Sequence, residues 1–319
     1  MTSSQPAPGR AMVTSAPLWS VLIVPVLLTA FAIMAVLGDA LLAARAAGRP
    51  LLTAAAAPAA GAARLLIGQR RRTPAPDALL WRAGLWTVPA AGILAALVIP
   101  FGTVTASRMS VGVVWFNAME VLTWAGLWLA GWGANSALSL IAGYRFVAQG
   151  LAYELPLMFA LISVAAGAQS LDVADIAAAQ SHLWFAVWMP AAFAAYLAGV
   201  YAFSFLGPFG APAGHDVAGG VLAEVSGVDR LAIEAGRWLL LAAGAGMAVP
   251  LFLGGAAGPV LPAWAWSAVK TLAVLAGLTW ARGRLPALRA DRYAEFAWVV
   301  VLPLSVAQAL VPALVDLTR

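Results

Sequence analysis

The chain alternates between long runs of apolar residues and shorter polar connections. Eight apolar runs are long enough to cross a hydrocarbon core of ~30 Å at ~1.5 Å per helical residue. They lie at residues 18–38, 84–105, 111–131, 146–168, 183–206, 236–255, 261–281 and 296–316. The pattern predicts an all-α integral membrane protein, in which a bundle of about eight transmembrane helices forms a single domain over residues 18–316.

The polar segments between these runs also carry information. Residues 1–17 are small and polar, and no small-residue cleavage site follows the first apolar run, so a short extracytoplasmic tail is predicted instead of a signal peptide. Residues 39–83 form a connection rich in Ala and Arg, where we expect an amphipathic surface helix after the first span. Two further loops, 207–235 and 282–295, are predicted on the same face as this connection.

Composition supports lipid as the solvent of this chain. Hydrophobic residues make up 63% of it and charged residues 10%, whereas a soluble domain usually carries about 25% charged residues. Cysteine is absent, which excludes disulfides and Cys-ligated zinc or iron–sulfur centres within the chain. His182 and His215 are far apart in sequence, so no metal site and no bound cofactor are expected.

The positive charges are distributed unevenly between the two predicted faces. Of the 18 Lys and Arg residues, 14 fall in the odd-numbered connections and three on the opposite side, with Lys270 inside a span. Cytoplasmic loops carry the excess of Lys and Arg in membrane proteins. This distribution predicts a multi-pass protein of the cell membrane with both termini outside the cytoplasm, and it accounts for the basic net charge without a nucleic-acid partner.

Ionisable residues inside spans are the main candidates for function, because a charged group in hydrocarbon is costly. Glu120, Glu154, Glu234 and Lys270 fall inside or at the ends of predicted spans. Further acids and one arginine lie near the predicted cytoplasmic ends: Asp39, Asp216, Glu224, Asp229 and Arg237. The four-residue spacing of Arg145, Gln149 and Tyr153 predicts that these three share one helical face.

Several blocks of sequence form a recognisable combination. Residues 131–154 are GWGANSALSLIAGYRFVAQGLAYE, and EVSG at 224–227 is followed by Glu234, LFLGG at 251–255 and Lys270. Residues 280–293 are WARGRLPALRADRY. Together these blocks resemble the H subunit (subunit 1) of the proton-pumping NADH:quinone oxidoreductase, respiratory complex I, and the resemblance covers most of the chain.

This resemblance implies a subunit of an oxidoreductase and translocase that carries no redox centre and is not catalytic alone. The implied partners are the other membrane-arm subunits, the iron–sulfur peripheral arm and the lipid bilayer, and quinone is the implied substrate of the complex. The implied proton or coupling path consists of Glu120, Glu154, Asp216, Glu224, Glu234 and Lys270. The candidates for the quinone cavity or for anchoring loops are Asp39, Arg45, Arg49, Arg145, Gln149, Tyr153, Pro208, Phe209, Arg282, Arg289 and Asp291.

Two loops depart from the family pattern and leave alternatives open. The family's GPN-containing run after the first span is absent, and Asp39, Arg45 and Arg49 are candidates to replace some of its charges. In the loop after the fifth span, only Pro208 and Phe209 remain, with Asp216 as a candidate survivor of an acidic row. The alternatives are a membrane anchor of an energy-converting hydrogenase, a stand-alone ion-coupled transporter using Glu154 and Lys270, and a non-catalytic assembly subunit.

Overall fold

The chain folds into helices joined by short irregular segments, and a computed structural model describes residues 13–15, 17, 19–214 and 220–317. Within this described part the α-helices are α1 Ser20–Ala46, α2 Leu51–Ile67, α3 Ala78–Ala96, α4 Gly112–Gly133, α5 Ala137–Ala168, α6 Val173–Ala179, α7 Phe185–Trp188, α8 Pro190–Phe203, α9 Gly227–Phe252, α10 Ala263–Arg282, α11 Ala290–Phe296 and α12 Leu302–Leu317. Short 3₁₀ turns occupy Gly207–Phe209, Ala211–Ala213 and Val221–Ala223. The two-residue strands β1 Thr14–Ser15 and β2 Val104–Thr105 pair in parallel.

Six helices in the described part are long and apolar enough to cross a membrane. They are α1, α3, α4, α5, α9 and the continuous stretch from α11 into α12. A π-helical turn at Ala297–Val301 joins α11 to α12 just before Pro303. The prediction of an all-α integral membrane protein is therefore confirmed. The other two predicted spans correspond to α8, which has 14 residues, and α10, which has 20 and contains Lys270.

Helix α9 lies at the centre of the bundle and packs against α1, α3, α8 and α10. Helix α3 packs closely on α4 because glycines remove side chains from the interface. A Cβ on Gly84 would lie 2.3 Å from the backbone N of Ala130, and one on Gly133 would lie 2.4 Å from that of Trp81. Small residues allow this kind of backbone approach between membrane helices.

The spans predicted at 146–168 and 236–255 begin nine residues after α5 and α9 do. Two other predicted spans are wrong because they include residues that are not helical. The span predicted at 84–105 is helical only to Ala96, and the chain then turns through Pro100 and Gly102, whose φ is +68°. The span predicted at 183–206 is broken between α7 and α8, because Met189 precedes Pro190 and leaves the helical region. Proline disfavours the helical conformation of the residue before it.

The basic connection after α1 contains α2, and none of its residues is buried. It contacts α1 and α9, while Leu52 and Ile67 remain almost fully exposed. An apolar helix on the outside of a membrane protein is suited to the interface between lipid and water, as expected for the predicted surface helix.

Candidate functional site

Two carboxyl groups meet near the middle of the bundle. Glu120 lies on α4 and Glu154 on α5, and the two side chains are close enough to interact directly. They form a cluster with Asn117, Trp124 and Tyr153, which we call the acidic cluster. Glu120 is only 1% exposed, whereas Glu154, Asn117 and Trp124 are half-buried.

The acidic cluster is held by hydrogen bonds to one oxygen of each carboxyl group. Trp124 Nε1 donates to Glu120 Oε1 at 3.0 Å, and the Tyr153 hydroxyl donates to the same oxygen. Asn117 Nδ2 donates to Glu154 Oε1 at 2.8 Å. The donors fix the orientation of both carboxyl groups and leave the second oxygen of each without a donor.

Those remaining oxygens have an unusual environment. Glu120 Oε2 and Glu154 Oε2 are buried without a hydrogen-bond partner. Within the described ranges, no Lys or Arg forms an ion pair with either carboxyl group. A buried carboxylate without a cation is strongly disfavoured. The arrangement is chemically suited to holding a proton on or between the two groups.

The turn between α4 and α5 explains why these two residues meet. Glu120 lies 15 residues before Asn135 and Glu154 lies 19 residues after it. In an antiparallel helical hairpin, the difference of four residues corresponds to only ~6 Å along the helix axis. Asn135 makes the turn with φ +47° and donates from Nδ2 to the Ala75 carbonyl at 2.9 Å.

Glu224 precedes α9 in sequence, and its side chain lies beside the residue that precedes α5. It does not contact the acidic cluster. Its Oε1 accepts a 2.7 Å hydrogen bond from the Ser136 hydroxyl, and Ser136 is the residue that precedes α5. Since Glu154 follows Ser136 by 18 residues, the two acids are separated by ~27 Å along the helix. Glu224 therefore belongs to the end of the bundle.

Glu234 lies near the same end, on α9, and pairs with Arg237. The Arg237 Nη1 atom is 3.1 Å from Glu234 Oε2, while its Nη2 donates to the Phe205 carbonyl at 2.7 Å. The Arg237 guanidinium also lies 5.2 Å from the centre of the Phe205 ring. This pair connects α9 to the segment after α8.

Ion pairs also join loops that are distant in sequence. Arg282 at the end of α10 pairs with Asp39 of α1, and its guanidinium lies 5.5 Å from the Trp238 ring centre. Arg70, in the connection after α2, lies 3.7 Å from Asp229. These contacts place arginine-bearing segments from three connections at one end of the molecule, which we call the arginine-rich end.

Pro208 and Phe209 contact the last loop. The Pro208 carbonyl accepts a 2.8 Å hydrogen bond from the Leu288 backbone N–H. The Phe209 ring packs edge-on against Tyr293 with centres 4.5 Å apart. Arg289 and Asp291, by contrast, form a local exposed pair with each other at 3.0 Å.

The remaining candidates are dispersed. Gln149 is buried and donates to the Ala202 carbonyl at 2.9 Å, and Tyr153 is buried in the acidic cluster. Arg145 is predicted to share the helical face of Gln149 and Tyr153. It is exposed, because it lies nearer the beginning of α5. Arg45 and Arg49 are also exposed. Asp216 lies outside the described residues.

Lys270 is bound by backbone carbonyls at the far end of α9. Its Nζ donates to the carbonyl oxygens of Leu253, Gly255 and Ala257 at 2.7, 2.9 and 2.9 Å. A cation near a helix C-terminus interacts favourably with the unpaired carbonyls there. In this conformation Lys270 and Glu154 have separate hydrogen-bond partners, so the coupling pair considered from sequence is not formed.

Sequence reasoning missed Asn117 and Trp124, although a signal was present. They lie three residues before and four residues after Glu120, a spacing that places all three on one helical face. It also missed Arg108, which lies 2.8 Å from Asp172 and 3.1 Å from Asp175. The hydrogen bond that Arg108 Nε donates to Asp172, together with the negative charge of that carboxylate, raises the pKa of the Arg108 guanidinium.

Within the described part of the chain, no group of three or more His, Asp or Glu side chains is arranged to hold a metal ion. The chemistry that the described site offers is therefore that of buried carboxyl groups, a phenol and hydrogen-bond donors. Such groups can hold, orient and pass protons.

Comparison with known proteins identifies the family. The family model described as NADH dehydrogenase matches residues 16–313. An H subunit of NADH-quinone oxidoreductase from Geobacter sulfurreducens, the one numbered 2, is 34% identical over 235 residues, covering 70% of this chain and 71% of the relative. The H subunit numbered 2 from Rhodopseudomonas palustris is 34% identical over 260 residues, covering 80% and 81%. The chain therefore belongs to the NADH dehydrogenase family, as a membrane protein related to the H subunit of NADH-quinone oxidoreductase.

Proposed function

We propose that this chain couples quinone reduction by a complex I-like assembly to proton translocation, with the acidic cluster as its proton-holding element. The observation that carries this proposal is the pair of Glu120 and Glu154, each with one buried oxygen that lacks a partner. A proton arriving at or leaving this pair changes its charge in a low-dielectric site, where nearby charges are felt strongly.

The arginine-rich end is the proposed docking face for the peripheral arm. Exposed Arg45 and Arg49, the Asp39–Arg282 pair and the Glu234–Arg237 pair lie on the connections that the charge distribution assigns to the cytoplasm. The proposal places both termini on the opposite side. The chain contributes no redox centre, so the electrons reach quinone through iron–sulfur partners.

The proposed coupling path begins at Glu224 and Glu234 and continues to Glu154 and Glu120, with Asp39 near the quinone cavity. Pro208 and Phe209 anchor the last loop through Leu288 and Tyr293. Lys270 contributes structurally in this proposal, because its ammonium is already bound by three carbonyl groups. Charge changes at the arginine-rich end would act on the acidic cluster along α5, which spans the distance between Glu224 and Glu154.

The test is to measure proton pumping and redox turnover separately in the assembled complex. Glu120→Gln and Glu154→Gln keep the size of each side chain but remove the ionisable group. We expect each variant to lower the number of protons moved per NADH by at least about twofold, while electron transfer to quinone continues. The matched control is Glu295→Gln, which removes an exposed carboxylate paired with Arg292.

Unchanged pumping per NADH in both cluster variants would refute the proposed role of the acidic cluster. The proteins that co-purify with the tagged chain distinguish the alternatives. Iron–sulfur partners with quinone reductase activity support the proposal, while a nickel-binding large subunit without quinone reduction supports the hydrogenase-type anchor. A single chain that transports ions alone supports the transporter.

A further inference from the structure

An apolar groove runs along the outside of the bundle between α8, α10 and α11. Its volume is about 560 Å³, which falls within the ~300–1,000 Å³ typical of small-molecule sites. Aromatic and aliphatic side chains line it, including Phe193, Tyr201, Phe209, Leu278, Trp280 and Phe296. Trp280 and Phe296 are each more than half exposed, so the groove is open to the surroundings.

Gly277 leaves space in this groove because it has no side chain. It lies on α10 and lines the groove, and a Cβ built at this position meets no atom within 4 Å. A side chain placed here would therefore enter the groove without disturbing the backbone. This position allows the groove to be filled selectively.

One arginine at the edge of the groove has no carboxylate partner among the described residues. The Arg284 guanidinium lies 4.1 Å from the centre of the Trp280 ring, and Trp280 and the neighbouring Leu285 both line the groove. The other three arginines of this loop are paired: Arg282 with Asp39, Arg289 with Asp291, and Arg292 with Glu295.

We propose that this groove and Arg284 together bind an anionic phospholipid. One acyl chain occupies the groove along Gly277, and the phosphate contacts the Arg284 guanidinium, which the Trp280 ring holds at the rim. Arginine suits phosphate because its planar group donates two parallel hydrogen bonds. The charge complementarity favours a lipid over an apolar helix of a partner protein, since such a helix would leave this cation unpaired.

Native mass spectrometry of the purified full-length chain tests the groove and Arg284 separately. Phosphatidylglycerol and phosphatidylcholine with identical acyl chains are added in turn. Wild-type chain is expected to retain phosphatidylglycerol about tenfold better. Arg284→Gln should lose this preference, and Gly277→Leu should lower the retention of both lipids.

Two matched controls separate the groove from general effects on the membrane surface. Arg64→Gln removes one exposed arginine from α2, which does not line the groove. Gly38→Leu adds a side chain on α1 where a Cβ also meets nothing within 4 Å. Both controls are expected to retain wild-type lipid selectivity. Equal selectivity in Arg284→Gln and wild type, or equal retention in Gly277→Leu and Gly38→Leu, would overturn the proposal.

This chain has no native cysteine, so Gly277→Cys gives it a single thiol that can be labelled with a photoreactive maleimide. In the assembled complex, wild type labelled in the same way is the control for thiols of the partner subunits. Cross-linking to phospholipid supports the proposal. Cross-linking to another membrane protein of the complex would show instead that a protein helix covers the groove and would contradict it.

Discussion

Single residues in this chain show how the partners of an ionisable group decide its role. Lys270 was a candidate for the coupling path because a lysine inside a span is costly. Its ammonium is satisfied by three carbonyl groups beyond the end of α9. Glu120 is also buried and Glu154 is half-buried, but each keeps a buried oxygen without a partner, which is the property expected of a group that accepts protons.

Replacing Lys270 with Met should therefore lower stability more than it alters coupling. Lys270→Met leaves the carbonyl groups of Leu253, Gly255 and Ala257 without their donor, and we expect the free energy of unfolding to fall by about 2–3 kcal/mol. Denaturant unfolding of the purified chain in detergent measures this change.

The control for Lys270→Met is Arg292→Met, which removes a cation from an exposed ion pair and should cost less than about 1 kcal/mol. A Lys270→Met variant that unfolds like wild type, but pumps fewer protons in the assembled complex, would contradict the structural role.

At the scale of helices, close packing depends on positions where a side chain cannot be accommodated. Gly133→Ala would place a Cβ 2.4 Å from the Trp81 backbone N, which forces α3 and α4 apart. We expect a destabilisation of about 1–3 kcal/mol, measured by the same unfolding experiment. Gly277→Ala is the matched control, because its Cβ meets nothing within 4 Å, and comparable losses in both variants would contradict the packing argument.

Sequence periodicity predicted helices best where a single apolar run coincides with a whole helix. The run at 111–131 corresponds to α4 and the run at 261–281 to α10. Periodicity failed to predict the helix breaks near Pro100 and Pro190, because the apolar segment continues there although the helix does not. It also missed the first nine residues of α5, since the exposed Arg145 there interrupts the apolar pattern.

The candidate site was only partly accessible to the same reasoning. The sequence identifies Glu120 and Glu154 individually, but their contact depends on the antiparallel packing of α4 on α5 through the Asn135 turn. The partners of Lys270 are backbone atoms and carry no sequence signature. Gln149 and Tyr153 do share a buried face. The exposure of Arg145 depends on where α5 begins, which the apolar pattern does not show.

At the scale of the whole molecule, the orientation in the membrane follows from which end carries the arginines. The absence of native cysteine allows single thiols to report the side of each segment. Ser15→Cys in β1 is expected to react with a membrane-impermeant maleimide in intact cells, while Arg72→Cys is expected to react only after permeabilisation. The reverse labelling pattern would invert the proposed topology.

The break before Pro190 has a consequence for the surrounding bilayer. Helix α8 has 14 residues and is only ~21 Å long, whereas the hydrocarbon core is ~30 Å thick. Helix α5, with 32 residues, is longer than that core. Hydrophobic mismatch of this kind is relieved by local thinning of the lipid or by a covering protein segment. Because α8 packs against α5, neighbouring helices present apolar walls of unequal height, and the membrane beside α8 has to thin where no neighbouring segment covers it.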